Sequence, residues 1–169
     1  MTDVAESAHV RLLLADYAAV DSAGKINIIG AGIEVLAFDD QRNASVPFTV
    51  VARVSFGPQF AGQRPAIELQ LEHQNGDLVA LPSPVGGVAQ PQYVRVAASG
   101  PLETPAVPGL YIPPGVMRPH ANVVLNFANG LPLITRQIYR WRIKIDHVER
   151  DEWTTLFYMP VPAGGAVVG

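Results

Sequence analysis

Apolar and polar residues alternate with a period of two along most of this chain, and no segment carries a convincing 3.6-residue repeat. "VRLLLADYAAV" (10–20) reads as a strand with both faces largely covered. "DSAG" (21–24) reads as its turn, with Asp21 starting the reversal and Gly24 free to take a positive φ. A strand resumes at Lys25, so the pair forms a hairpin. In "PFTVVARVSF" (47–56), Phe48, Val50, Ala52, Val54 and Phe56 alternate with Thr49, Val51, Arg53 and Ser55. "AIELQLEHQNGDLVAL" (66–81) points Ile67, Leu69 and Leu71 inward and Glu68, Gln70 and Glu72 outward, and Asn75-Gly76 suits a type I′ turn. "YVRVAA" (93–98), "ANVVLNF" (121–127), a turn at Asn129-Gly130, "RQIYRWRIKID" (136–146) and "EWTTLFYMPV" (152–161) complete eight or nine strands. The pattern predicts an all-β fold, an antiparallel β-sandwich of immunoglobulin-like general architecture, with the strand order left open. Residues 9–161 are expected to form a single domain, with 1–8 and 162–169 as flexible ends.

One stretch, "KINIIGAGIEVL" (25–36), admits two readings. Gly30-Ala31-Gly32 after an apolar run is the front of a dinucleotide-binding glycine loop. However, the third glycine of that fingerprint falls on Val35, the following residues lack helical periodicity, and positions 48–52 hold no acid for a ribose. A parity switch favours the alternative: Ile26 and Ile28 share a face before the glycines, Ile33 and Val35 after them. Such a switch needs an extra residue, a β-bulge, to which glycine is suited. No cofactor is expected.

Composition sharpens this picture. Fifteen prolines and fifteen glycines in 169 residues favour turns over long helices. Many fall in "PSPVGGVAQP" (82–91) and "GPLETPAVPGLYIPPGVMRP" (100–119), which read as long stiffened connections across one end of the sandwich. The net charge of −3 gives no global attraction to nucleic acid or to an anionic membrane. With no cysteine there is no disulfide, thiolate chemistry or Cys-based zinc site. The acidic start "MTDVAESAHV" is unlike a secretory signal, and the apolar run near it is too short to span a bilayer, so a cytoplasmic location is expected.

Candidate chemistry is sparse. In "RQIYRWRIK", Arg140, Arg142 and Lys144 face opposite to Tyr139 and Trp141, so the aromatics read as core and the cations as a solvated stripe. The stripe could instead pair with the acidic face of 66–72 if those strands are neighbours. Acids at turns, such as Asp21, Asp39, Asp77 and Asp146, could gather calcium, but aspartate also starts turns for local reasons, and no metal is expected. The four histidines are scattered, and the serines lack a nucleophile-elbow context, so no catalytic residue is expected. Glu68 or Glu72 opposite a distant acid would allow carboxylate-pair chemistry, although outward-facing strand carboxylates are far more often solvated. Trp141 and Trp153 read as core anchors.

"LLLADYAAVDSAGKINIIGAG" (12–32), "PFTVVARV" (47–54), "LQLEHQNGDLV" (69–79) and "YRWRIKID" (139–146) together resemble a family of small bacterial all-β proteins, a domain of unknown function. Its pattern is a leucine-rich L-x-x-x-D-Y-A start, a turn, I-I-G-A-G, and a late Y-R-W-like strand, and the similarity spans about residues 10 to 160. The Pro-rich middle is longer here than in that pattern. The resemblance implies kinship of fold and carries no assigned activity. Sparse chemistry, a well-specified all-β core and long Pro-stiffened loops lead instead to the expectation of a non-catalytic protein acting through protein–protein contacts, as an accessory or assembly component, its partner a second copy or another protein. Its candidate interaction surface comprises Arg140, Arg142, Lys144, Tyr93 and Tyr111. The alternative is a small-ligand or carbohydrate-binding module using loops 82–91 and 100–119, with Tyr93 and Tyr111 as platforms.

Overall fold

The computed structural model describes residues 3–81 and 91–161. Its strands are β1 (His9–Ala15), β2 (Tyr17–Val20), β3 (Ile26–Ile29), β4 (Phe38–Asp39), β5 (Ala44–Ser45), β6 (Phe48–Ser55), β7 (Ile67–His73), β8 (Ala80–Leu81), β9 (Gln92–Tyr93), β10 (Arg95–Ala98), β11 (His120–Phe127), β12 (Gln137–Ile145) and β13 (Val148–Met159). A one-turn helix, α1 (Asp3–Glu6), and a 3₁₀ turn at Pro58–Phe60 are the only helical elements among the described residues. The chain is therefore mostly β, built from several antiparallel sheets. One has the order β1-β6-β11 and another β10-β7-β12-β13, with small pairs β2-β3, β4-β5 and β8-β9 beside them.

The alternating side chains of both larger sheets feed one apolar core. Phe48, Val50, Ala52 and Val54 on β6 are buried as their alternation predicts, as are Ile67, Leu69 and Leu71 on β7 and Tyr139, Trp141, Ile143 and Ile145 on β12. Aromatic rings link the sheets: Phe48 stacks on Phe127 at 4.9 Å and meets Phe157 at 6.3 Å, and Phe127 meets Trp141 at 5.6 Å. Trp153 is also buried. Residues 3–8, expected to be loose, add Val4, Ala5 and Ala8 to this core.

The chain passes from β11 to β12 through a connection held by Tyr139. Its hydroxyl accepts the Ile134 N–H and donates to the Ile134 carbonyl, both at 2.9 Å. Burial raises the phenol's pKa, and the Ile134 hydrogen bond opposes that only in part.

Several local expectations are corrected. Residues 10–20 are two strands broken at Asp16, and the second is covered only in part: Ala18 is buried, but Tyr17 is 53% exposed and Val20 45%. The glycine segment does kink the chain. Gly30 and Gly32 have φ of 64° and 90°, and a Cβ on Gly30 would lie 1.9 Å from the Asp16 carboxylate. The Gly32 and Ile33 N–H groups both donate to the Leu14 carbonyl. Two successive N–H groups on one carbonyl are a bulge-like contact with β1, but no regular ladder continues beyond it: strand β3 ends at Ile29, and further on Val35 makes a single parallel bridge with Tyr158. Outside a ladder the period-two rule no longer applies, and Leu36 is buried while Val35 is 60% exposed.

The type I′ turn is also elsewhere. Asn75 does not adopt a positive φ, whereas Gly76 does at 96°. The Gly76 N–H returns to His73 and the His73 N–H to Asp77, a three-residue loop closing on a left-handed glycine. Ser22-Ala23-Gly24 repeats the device between Asp21 and Lys25. The two-residue turn with both φ positive is Asp146-His147, at 48° and 66°, between β12 and β13, where no glycine announces it.

Two predictions follow from these contacts. His147→Gly relieves a left-handed residue and should raise stability by about 0.5–1 kcal/mol, read as a higher urea midpoint. Tyr139→Phe leaves the Ile134 N–H without its acceptor and should cost about 1–2 kcal/mol. Because the folded-state pKa of Tyr139 is raised, its contribution is intact below pH ~10 and lost as pH climbs through the folded value. The difference in thermal stability between wild type and Tyr139→Phe should therefore shrink on the alkaline side.

Candidate functional site

The outer face of the four-stranded sheet carries the cations singled out from sequence. Registration places Arg140 opposite Glu72, Arg142 opposite Gln70 and Lys144 opposite Glu68, so β7 and β12 are neighbours and the stripe meets the acidic face. It is not a solvated stripe. Glu72 is only 2% exposed and Arg142 6%. Arg140 donates from Nε to Glu72 Oε2 at 2.8 Å, and Arg142 Nε reaches both Glu72 oxygens at 3.0 and 3.1 Å. The Gln70 amide donates to the same carboxylate. Glu72 is thus not the outward, solvated carboxylate expected from alternation, because long side chains on adjacent strands cover one another.

The remaining charges are also answered. Lys144 pairs with Glu149 at 2.9 Å, and this hydrogen bond is the main cause holding the Glu149 carboxyl below its ordinary pKa. Glu68 takes Arg95, whose guanidinium pKa is raised chiefly by that hydrogen bond. A face whose cations are already paired offers little uncompensated charge to an incoming polyanion.

The two tyrosines are placed apart. Tyr93 is half-exposed on β9, opposite Ala80. Tyr111, 84% exposed, lies on the Pro-rich connection beside a cavity of about 510 Å³ lined by Pro105, Leu110, Ile112 and Pro113, to which Tyr93 does not contribute. Of loop 82–91, residues 82–90 lie outside the described residues. The acids at turns accept backbone N–H groups: Asp21 Oδ1 those of Ala23 and Lys25 and Asp39 those of Gln41 and Arg42 within their own turns, and Asp146 that of the distant Ala66. Among the described residues no three His, Asp or Glu side chains converge as a metal site.

The structure adds a surface that the charge pattern does not reveal. Ile138 lies directly opposite Tyr158, Leu156 is two residues along the same strand face, and Val35 bridges to Tyr158. All four are exposed, Leu156 at 51% and Val35 at 60%. Beyond them, Tyr17 and Ile29 form an exposed cross-strand pair on the β2–β3 hairpin. A sequence signal existed in "LFYM" (156–159): four consecutive apolar residues on a strand cannot all face one core.

Removing the buried carboxylate should be costly. Glu72→Ala strands two guanidinium groups and should destabilise by about 3–5 kcal/mol in denaturant titration. Glu72→Gln, which keeps the shape and some hydrogen bonds, should lose less.

No helix among the described residues is long and apolar enough to cross a membrane. The chain matches no protein family, no curated protein and no solved structure.

Proposed function

We propose that this chain is a non-catalytic β-sandwich protein that works through protein–protein contact, self-association included, as an accessory or assembly component of a bacterial cytoplasmic complex. The observation that carries the reading is the exposed apolar row Val35, Ile138, Leu156 and Tyr158 at one end of the four-stranded sheet. Isolated exposed apolar residues are ordinary, but neighbours in register form a patch of the kind that marks interaction surfaces. The adjacent ion-paired face suits a polar rim around such a patch.

The immunoglobulin-like form of the sandwich belongs to the same proposal. Three strands and four strands sharing one core, with a tyrosine whose hydroxyl returns to the backbone five residues upstream, support it. Kinship with the small bacterial all-β family is supported by the residues that carry the resemblance. A second reading, ligand binding on the Pro-rich connection, is favoured by Tyr111 standing exposed beside its cavity.

Light scattering at high micromolar concentration should show a species larger than the monomer, or a co-purifying protein partner. Leu156→Asp should return it to the monomer or release the partner without unfolding it. A wild-type monomer with no partner would count against the contact reading. In that case a glycan or thermal-shift hit that Tyr111→Ala abolishes would establish the second one.

A further inference from the structure

We propose that the outer face of the three-stranded sheet binds a small molecule bearing a phosphate or pyrophosphate group, at the end where β1 and β6 approach β13. Registration across β1, β6 and β11 puts two polar rows side by side: His9, Ser55 and His120 in one, Arg11, Arg53 and Asn122 in the next. Arg11 and Arg53 are thus directly opposite on adjacent antiparallel strands. Like charges so placed repel. On the other sheet every such cation meets a carboxylate, as Arg140 and Arg142 meet Glu72 and Arg95 meets Glu68. Neither the Arg11 nor the Arg53 side chain has an ion-pair or hydrogen-bond partner among the described residues.

These two arginines open onto a cavity of about 670 Å³ that also receives Arg118 and Arg150. Arg118 is oriented by main-chain carbonyls, Nε to Phe56 O at 3.1 Å and Nη2 to Ser7 O at 3.0 Å, which hold the guanidinium without neutralising it. Arg150 reaches the cavity because the β12–β13 register shifts there: Arg142 pairs with Thr154 but Lys144 with Glu149, so residues 150–153 bulge from the ladder. The bulge sets Arg150 5.0 Å above the ring of Trp153, which forms part of the wall. Glu6 and Glu152 also line the cavity, and Glu152 pairs with Arg150 at 3.7 Å, so four guanidinium groups share two carboxylates and the lining keeps a net positive charge. At the far edge of the same rows, Nδ1 of His120 and Oδ1 of Asn122 are buried without hydrogen-bond partners among the described residues, and both side chains line a neighbouring cavity, not this one. The imidazole's pKa is depressed first by burial and then by Arg53.

The chemistry selects the ligand. Guanidinium groups on adjacent strands can clamp one group bearing several oxygens, and their planar forks match phosphate. A lone carboxylate can serve two guanidinium groups, as Glu72 does, but the four that line this cavity are better matched by the more numerous oxygens and higher charge of a phosphate or pyrophosphate. The cavity's size falls in the small-molecule range of roughly 300–1,000 Å³. The flanking acids Glu6 and Glu152 oppose the continuous track of cations that a nucleic-acid strand needs.

Calorimetry and thermal shift with inorganic pyrophosphate, and separately ADP, test this against sodium chloride at matched ionic strength. Saturable binding of either, with a rise in melting temperature beyond the salt control, is expected. Arg11→Gln and Arg53→Gln should each weaken it by roughly tenfold or more, since each removes a charge-assisted contact. In a buffer free of phosphate and sulfate the same variants should melt no lower than wild type, because the repulsion is gone. Arg64→Gln, outside the cavity, should bind as wild type does. The proposal is overturned if neither probe shifts melting beyond salt, if both arginine variants retain affinity, or if a single-stranded oligonucleotide binds where pyrophosphate and ADP do not.

Discussion

Phe48 and Phe127 stack across β6 and β11, and from there the rings reach Phe157 and Trp141 on the other large sheet. This aromatic junction is the contact on which the other features depend. Each large sheet has one face rich in Val, Ile, Leu and aromatic side chains, and a sheet with one apolar face must cover it. Ring pairs of this kind add about 0.5–1.5 kcal/mol each beyond the area they remove from water. The junction also fixes how the chain crosses between sheets, since Tyr139, stacked on Phe157, uses its hydroxyl to hold the connection at Ile134.

With the inner faces occupied, the outer faces are left to differ. On β7 and β12 the charges answer one another, and Glu72 is buried under two arginines and a glutamine amide. Desolvating such a group is costly, so a cluster of this kind is weak evidence for stability in itself. Its effect is on register, because a slip of one residue would separate Glu72 from Arg140. On β1 and β6 the charges are left unanswered, with Arg11 opposite Arg53. Apolar exposure concentrates elsewhere again, at the end of β13, on the β2–β3 hairpin and along the Pro-rich connection at 107–117. The protein thus presents three chemically distinct surfaces around one core.

Much of this was legible from alternation. The inward sets of β6, β7 and β12 follow directly from a period of two, because successive strand side chains must point to opposite faces. The glycines at 30 and 32 were readable as a kink, since positive φ and the closeness of Asp16 exclude a side chain at 30. Where the ladder stopped, reading by period failed: Val35 and Leu36 exchanged roles once no neighbouring strand held them in register. The Asp146-His147 turn gave no glycine signal because aspartate and histidine tolerate the left-handed region when the strands on either side impose it.

By itself, the sequence determined the class of structure and which side chains of the long strands β6, β7 and β12 form the apolar face, because both depend on local periodicity and turn chemistry. Only the tertiary structure decided which strands became neighbours. That choice made Glu72 buried, not solvated, set Arg11 against Arg53 across residues 42 positions apart, and lined Val35 up with Tyr158. The physical reason is that a side chain's environment on a sheet is set by its cross-strand partner, and pairing between distant segments is selected by burial of the whole apolar face.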